Sequence, residues 1–308
     1  MNKKNKIIVI VGATASGKSK LGIEIAKFLN SEIINADSRL FYRGLDIGTA
    51  KPDKPQLNST KHHLIDIINP DENFTVNNFL IHAKKTINTL HRQKKIPIII
   101  GGSGQYIWSL IEGWNIPEVK PNIKLRTNLE KKLKLHGINH IQKLLKDLSE
   151  KLYNQTDLLN PRRVIRSIEI ANSSIDDKVQ KDQEEPYDAM ILGLNVDRNI
   201  LHKRVASRVD NMLSDGFLEE IKTLLSNGYD NSLQSMSSIG YKEFIKFIDG
   251  EWSKEEAIKK TIISTNKLIR HQNNWFKQSD PRIDWFDFNN EEKSLDLIKT
   301  AIKKWINA

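Results

Sequence analysis

The first hundred residues alternate dense apolar runs with stretches in which apolar positions recur every three or four residues. Ile7–Val11 is a run of β-branched residues, the pattern of a strand buried on both faces. Between Lys18 and Asn30, Leu21, Ile25, Phe28 and Leu29 recur at helical spacing. Glu32–Asn35 reads as a short strand ending at Asp37-Ser38, and Leu64–Ile68 as a further strand. Val76–Gln93 is helical, with Phe79, Leu80, Ala83, Ile87 and Leu90 on one face. Ile96–Ile100 is a buried strand closed by Gly101-Gly102. This alternation predicts an α/β fold with a parallel sheet core and flanking helices, its function lying at the carboxyl ends of the strands.

The alternation stops after Trp114-Asn115-Ile116-Pro117, and residues 122–190 hold no convincing strand. Asn122 can cap a helix that runs to His136, with Gly137 just past its end. A second helix covers His140–Leu152. Asn160-Pro161 opens a third, a cap followed by proline at the first helical position. Ala189–Leu194 returns to a strand pattern. Residues 115–190 therefore read as a helical insertion domain, and 1–114 together with 191–308 as the core. The segment 199–308 is mostly helical, punctuated by Gly216, Gly228, Gly240 and Gly250. No internal repeat or low-complexity segment occurs.

A chain of 308 residues is long enough to bury a full core. It has no cysteine, which excludes disulfides, a thiolate nucleophile and a zinc-thiolate site. No run is long enough to span a membrane. Lys3, Lys4 and Lys6 before Ile7–Val11 faintly resemble a signal peptide, but that apolar run is too short for one. A cytoplasmic protein is the expectation, and without any oligomer signal, a monomer.

The formal charge of +10 points to a polyanionic partner, although Lys, Asn and Ile are favoured throughout. Distribution says more than the total. Residues 120–166 carry twelve Lys or Arg against four acids, Glu130, Asp147, Glu150 and Asp157, whereas 167–190 carry two Lys against seven acids. Lys outnumbers Arg 36 to 12, yet Arg is kept at 39, 43, 126, 162, 163, 166, 204, 208 and 270, where planar bidentate geometry would be wanted. Arg162, Arg163 and Arg166 share one helical face opposite Val164, Ile165 and Ile168, a face suited to RNA phosphates or a stacked base.

Directly after the first strand, Gly12-Ala13-Thr14-Ala15-Ser16-Gly17-Lys18-Ser19 fits G-x-x-x-x-G-K-[ST], and a helix succeeds it. Strand, glycine loop and helix are the context of a phosphate-binding loop, so the core is of P-loop type. Backbone N–H groups and the helix N-terminus can face an anion. Lys18 adds a full charge and Ser19 a hydroxyl for a phosphate oxygen or Mg²⁺, the metal and cofactor expected here. Asp37, at the end of the neighbouring strand, lies across the crevice from that anion, where it could take a proton from a substrate or hold Mg²⁺. No His/Asp/Glu cluster has metal-ligand spacing, so Mg²⁺ would be bound largely through the phosphates.

A longer and more distinctive pattern begins at this aspartate: Asp37-Ser38-Arg39-Leu40-Phe41-Tyr42, then Ile47-Gly48-Thr49-Ala50-Lys51-Pro52. Gly101-Gly102-Ser103-Gly104-Gln105-Tyr106 is the next motif along the chain. An arginine helix from Arg204 leads to Met212-Leu213 and Gly216-Phe217. Beyond it stands Ile239-Gly240-Tyr241-Lys242-Glu243, and Arg270-His271-Gln272 with Trp275-Phe276-Lys277 closes the series. With the phosphate loop, these ordered motifs resemble the tRNA dimethylallyltransferases (tRNA isopentenyltransferases), over roughly residues 7–280. Leu40 departs from the glutamine, and Ser103 from the threonine, usual in that family; Ser238 stands where a larger or apolar residue is expected.

The resemblance implies that the loop, Gly12 to Ser19, binds dimethylallyl diphosphate rather than ATP, with Thr14 touching the diphosphate. It implies transfer of a dimethylallyl group to N6 of the adenine next to the anticodon on its 3′ side, with the anticodon stem-loop of tRNA as partner. Asp37 would hydrogen-bond the exocyclic amine and take its proton, Ser103 would help hold that amine, and Arg208 would grip the diphosphate oxygens. The tRNA-binding positions it suggests, together with the basic face, are Ser38, Arg39, Leu40, Arg126, Arg162, Arg163, Val164, Ile165, Arg166, Gly240, Tyr241 and Lys242. His62-His63 resembles a family pair but reads as structural. Trp108 and Trp114 read as packing, and Trp275 is open between packing and RNA. Three other readings stand beside this one: a P-loop small-molecule kinase, a non-catalytic RNA-binding regulator with a nucleotide-sensing loop, and a relative acting on free adenine nucleotides.

Overall fold

The computed structural model describes residues 5–116, 119, 121–173, 180–181 and 186–308. Lys3, Lys4, Pro117, Lys120 and the acidic positions Asp176, Asp177, Asp182, Glu184 and Glu185 lie outside the described residues. The chain forms two compact units, Met1–Gly113 with Asp182–Ala308, and Trp114–Lys181. The sequence pattern placed these junctions after residues 114 and 190.

The first unit is built on strands β1 (Lys6–Gly12), β2 (Ile33–Asn35), β3 (His62–His63) and β4 (Ile98–Ile100). Strands β5 (Trp114–Asn115) and β6 (Gln180–Lys181) pair antiparallel in the second unit. Strands β7 (Asp188–Asn195) and β8 (Ile283–Asp287) return to the first. Among the described residues its sheet has the order β3-β2-β4-β1-β7-β8 and is parallel throughout. Ile7 to Val11 are completely buried, as a central strand covered on both faces requires. Helix Lys18–Leu29 buries Leu21, Ile23, Ile25 and Ala26 against the sheet. Helix Val76–Arg92 starts with a capping box at Thr75 and buries Phe79, Leu80, Ala83, Ile87 and Leu90.

Three expectations from the sequence change. Leu64–Ile68 is not a strand: Leu64 and Asp66 have φ of 61° and 55°, so the backbone turns there, and only His62–His63 joins the sheet. The mostly helical C-terminal segment contains β8, which extends the sheet beside β7. The helix expected over His140–Leu152 divides at Ser149 into Ile138–Leu148 and Glu150–Gln155, because Ser149 is extended and its hydroxyl accepts from Leu152 N at 3.2 Å. The His pair is structural as read: His63 Nε2 meets Glu32 Oε2 at 2.7 Å, and His62 Nδ1 meets the Thr60 carbonyl.

The second unit has its own small core, in which Leu129, Ile141, Leu145, Val164, Ile165 and Ile168 are buried together. Asn122 caps the helix Ile123–His136 by accepting from Leu125 N at 3.0 Å. Asn160 caps Pro161–Ala171 by accepting from Arg162 N and Arg163 N.

Candidate active site

The phosphate loop bridges β1 and the helix Lys18–Leu29. Gly17 takes φ 94° where the loop enters the helix, a conformation that favours glycine. Lys18 folds back over the loop: its Nζ donates to the carbonyls of Gly12 at 3.0 Å and Ala13 at 2.6 Å. Burial pushes its ammonium down to about 8; the charge of Asp37 opposes this and that of Arg208 adds to it. The Arg208 guanidinium is likewise pushed down by burial, and Asp37 and Tyr241 oppose the shift. Lys18, Arg208 and Asp37 are therefore close enough to act on one another, although they stand on three separate elements. Arg204 braces the loop from outside, donating from Nη1 to the Ala15 carbonyl and from Nη2 to Glu291 Oε1, both at 3.3 Å.

Asp37 is held by its neighbour Asn35, which is buried at the end of β2. Asn35 Oδ1 accepts from Asp37 N at 2.9 Å, and Nδ2 donates to the carbonyls of Asp37 and Leu64. Asp37 Oδ1 accepts from Arg39 N at 3.0 Å, which closes the turn. Its second oxygen has no hydrogen-bond partner among the described residues. Ser38 N donates to Ser103 Oγ at 3.4 Å, so the turn at Asp37 and the glycine turn after β4 meet. A carboxylate with one oxygen fixed and the other unpartnered, in the field of two half-buried cations, can accept a proton from a substrate bound between them. The donors present suit a hard cation. The Ser19 hydroxyl is exposed at the start of the helix, and among the described residues no group of three or more His, Asp or Glu could hold a metal. Such a site draws most of its oxygen ligands from substrate phosphate and water.

Thr14, expected to touch a diphosphate, is hydrogen-bonded within the protein. Its N–H and hydroxyl both donate to Gln272 Oε1, at 2.8 and 3.1 Å. Gly240 and Tyr241 are buried and so are not an RNA surface: Gly240 N donates to Glu243 Oε2 and the Tyr241 hydroxyl to Glu220 Oε1 at 2.6 Å. Burial, with the charge of Glu220, pushes the Tyr241 phenol far up. Lys242 is exposed, 3.6 Å from Glu243 Oε1. Arg39 donates from Nη1 to the Gln234 carbonyl at 2.8 Å, and Leu40 is half-buried. The Ile47 to Pro52 motif is a structural staple. Glu220 accepts from the N–H groups of Asp46, Ile47 and Gly48, and Lys51 pairs with Asp46 and Asp66.

In the second unit Val164 and Ile165 are 0% and 6% exposed, so they form its core and cannot meet RNA. Arg126 makes a bidentate pair with buried Glu169, at 2.7 and 2.8 Å, and Arg166 reaches the same carboxylate at 3.2 Å. Arg163 pairs with exposed Asp157 at 3.2 Å, and Arg162 is exposed. Asn35, Glu220 and Glu169 went unmarked in the sequence. Asn35 left one signal, a polar residue ending an apolar strand two positions before Asp37.

Fold and site together define a P-loop transferase. Residues 40–279 match the IPP transferase family. A relative in Clostridioides difficile (strain 630), named tRNA dimethylallyltransferase, is 38% identical over 99% of this chain and 98% of its own. The tRNA isopentenylpyrophosphate transferase of Bacillus halodurans superposes with a TM-score of 0.74 at 33% identity, covering 99% of this chain and 97% of that one. A eukaryotic dimethylallyltransferase solved acting on tRNA gives 0.80 at 25% identity, over 97% of this chain and 79% of its own. The chain belongs to the IPP transferase family. These relatives favour a transferase over the kinase alternative.

Proposed function

We propose that this protein transfers the dimethylallyl group of dimethylallyl diphosphate to N6 of the adenine next to the anticodon, on its 3′ side, in tRNA. The observation that carries the reading is the placement of Asp37, held by Asn35 and Arg39 N and linked through Ser38 N to Ser103, in the electrostatic field of the half-buried Lys18 and Arg208. A bond forms between N6 and the allylic carbon, and the bond from that carbon to the diphosphate oxygen breaks. The electron pair leaves with the diphosphate, whose growing charge meets Lys18, Arg208 and the loop N–H groups. The N6 proton goes to the unpartnered oxygen of Asp37. Ser103, joined to the same turn, helps to orient the amine. Mg²⁺ held by Ser19 and the phosphates would neutralise charge on the leaving group when bound.

The target adenine must leave the loop stack to reach Asp37. The basic surface of residues 120–166 is proposed to hold the anticodon stem-loop electrostatically, with Arg162 and Arg163 as its exposed arginines, the latter in an exposed ion pair with Asp157. Ser38, Arg39, Leu40 and Lys242 are proposed RNA neighbours in the core. Among the described residues no helix is long and apolar enough to cross a membrane, and a tRNA substrate argues for action in the cytoplasm. Incubation with labelled dimethylallyl diphosphate and, separately, tRNA and AMP tests the reading, with labelled ATP as the control for a kinase. Prenylated tRNA is expected. Phosphoryl transfer from ATP, or prenylation of AMP alone, would overturn it.

A further inference from the structure

The last turn of the helix Lys254–Trp275 carries a side chain that lies between the phosphate loop and the glycine turn after β4. Gln272 is 4% exposed. Its Oε1 accepts from Thr14 N at 2.8 Å and Thr14 Oγ1 at 3.1 Å, across 258 positions of sequence. The Thr14 N–H can only donate, so the amide oxygen must face the loop and the amide nitrogen must face away from it. That nitrogen lies against Gly102, where a Cβ would come within 2.1 Å of Nε2. Only a glycine admits the amide there. The next residue, Ser103, takes the hydrogen bond from Ser38 N, beside Asp37. The helix end is itself fixed, because the Trp275 carbonyl accepts from Trp108 Nε1 at 3.1 Å and Phe276 is buried.

Resting on the function proposed above, we infer that Gln272 is a positioning residue. Its side chain sets the gap between the phosphate loop and the turn that carries Ser103, and so the distance over which the allylic carbon meets the amine. Without the amide oxygen, the N–H and hydroxyl of Thr14 lose their shared acceptor in a poorly solvated place, and the loop must move to recover one. A displacement of about 1 Å between reacting groups costs on the order of 10²-fold in rate, even when both substrates still bind.

The test uses the full-length protein, labelled dimethylallyl diphosphate and a tRNA anticodon stem-loop. Gln272→Met keeps the volume and removes the acceptor. Its single-turnover rate should fall by at least about 10-fold, with both substrate affinities within about threefold of the wild type. Thr14→Val should lose less, and the double variant should be no slower than Gln272→Met alone, since both changes break one linkage. Gln272→Glu keeps an acceptor for Thr14 but adds a negative charge. It should raise the KM for the diphosphate while largely keeping kcat, which a merely structural residue would not do. That variant also serves if Gln272→Met does not fold. A Gln272→Met rate within twofold of the wild type, losses that multiply in the double variant, or a kcat loss in Gln272→Glu as large as about 10-fold would each overturn the proposal. A wild type that transfers no prenyl group overturns the underlying function and this proposal with it. Transfer by the wild type with an unimpaired Gln272→Met overturns this proposal alone.

Discussion

The Tyr241 hydroxyl donates to Glu220 Oε1 at 2.6 Å, and the same carboxylate collects the backbone N–H groups of Asp46, Ile47 and Gly48. Two motifs far apart in sequence are thereby one structural unit, with Glu220 as its knot. Glu220→Ala leaves a buried phenol and several N–H groups without an acceptor. It should lower the stability to denaturant by about 1–3 kcal/mol. Tyr241→Phe removes one bond and should cost less, about 1 kcal/mol by the same measurement. A Glu220→Ala midpoint equal to that of the wild type would show that solvent takes over the role of the carboxylate.

Asp37→Asn keeps an oxygen for Arg39 N and removes the base. Prenyl transfer should fall by at least ~10²-fold, with tRNA affinity within a few-fold. Single-turnover rates settle the matter: a rate near that of the wild type would mean that the amine proton leaves by another route.

Lys18 gives a pH dependence of definite sign. Its ammonium is held at about 8 in the folded chain against 10.5 for the free side chain, so the unfolded chain binds more protons between those values. Lys18 therefore penalises the folded state below about pH 8, and stability without ligand should rise from there towards 10.5. Lys18→Met should abolish that rise in denaturation curves taken across the window. Affinity for the diphosphate should move the opposite way, weakening above about pH 8 as the ammonium loses its proton.

The arginines of the second unit should separate into two groups. Arg126→Ala deprives a nine-tenths buried carboxylate of its bidentate partner, leaving Arg166 and Asn122 N. It should lower stability by about 1–3 kcal/mol. The double change Arg162→Ala with Arg163→Ala removes exposed charges and an exposed ion pair, so stability should stay within about 0.5 kcal/mol. It should weaken tRNA binding and reduce the salt slope by up to about one unit for each lost phosphate contact. Superimposable salt plots for this variant and the wild type would mean that this face does not bind RNA.

The phosphate loop, Asp37 and most of the sheet could be read from the sequence because their signals are contiguous. A β-branched run, a glycine pattern and a helix all occupy neighbouring positions. β8 was harder to see, since Asp284 and Asp287 interrupt its apolar pattern and it lies at an edge, where burial is partial. Leu64 and Ile68 are buried but belong to a turning segment, and hydropathy does not distinguish a buried loop from a strand. Tyr241 was misread for another reason. Its motif is real, but its partner Glu220 lies on another helix, and no local pattern separates a buried phenol from one that meets RNA. Glu169 hid in the same way among the acidic positions of 167–190, although it is the counter-ion of two arginines.

The strand that ends in the phosphate loop lies between β4 and β7, and it pairs with β7 from Lys6↔Asp188 to Gly12↔Leu194. During translation, β1 emerges first and β7 only after the whole insertion has been made. At ordinary synthesis rates that is a wait of roughly ten to forty seconds. For that time a β-branched strand has at least one open edge, and two until β4 is made, a template for pairing with another nascent chain. Its most extensive pairing is also its most distant in sequence, which slows closure of the sheet. The phosphate loop is thus supported on both sides only when the ribosome has passed the insertion, and until then the chain depends on whatever shields its first strand.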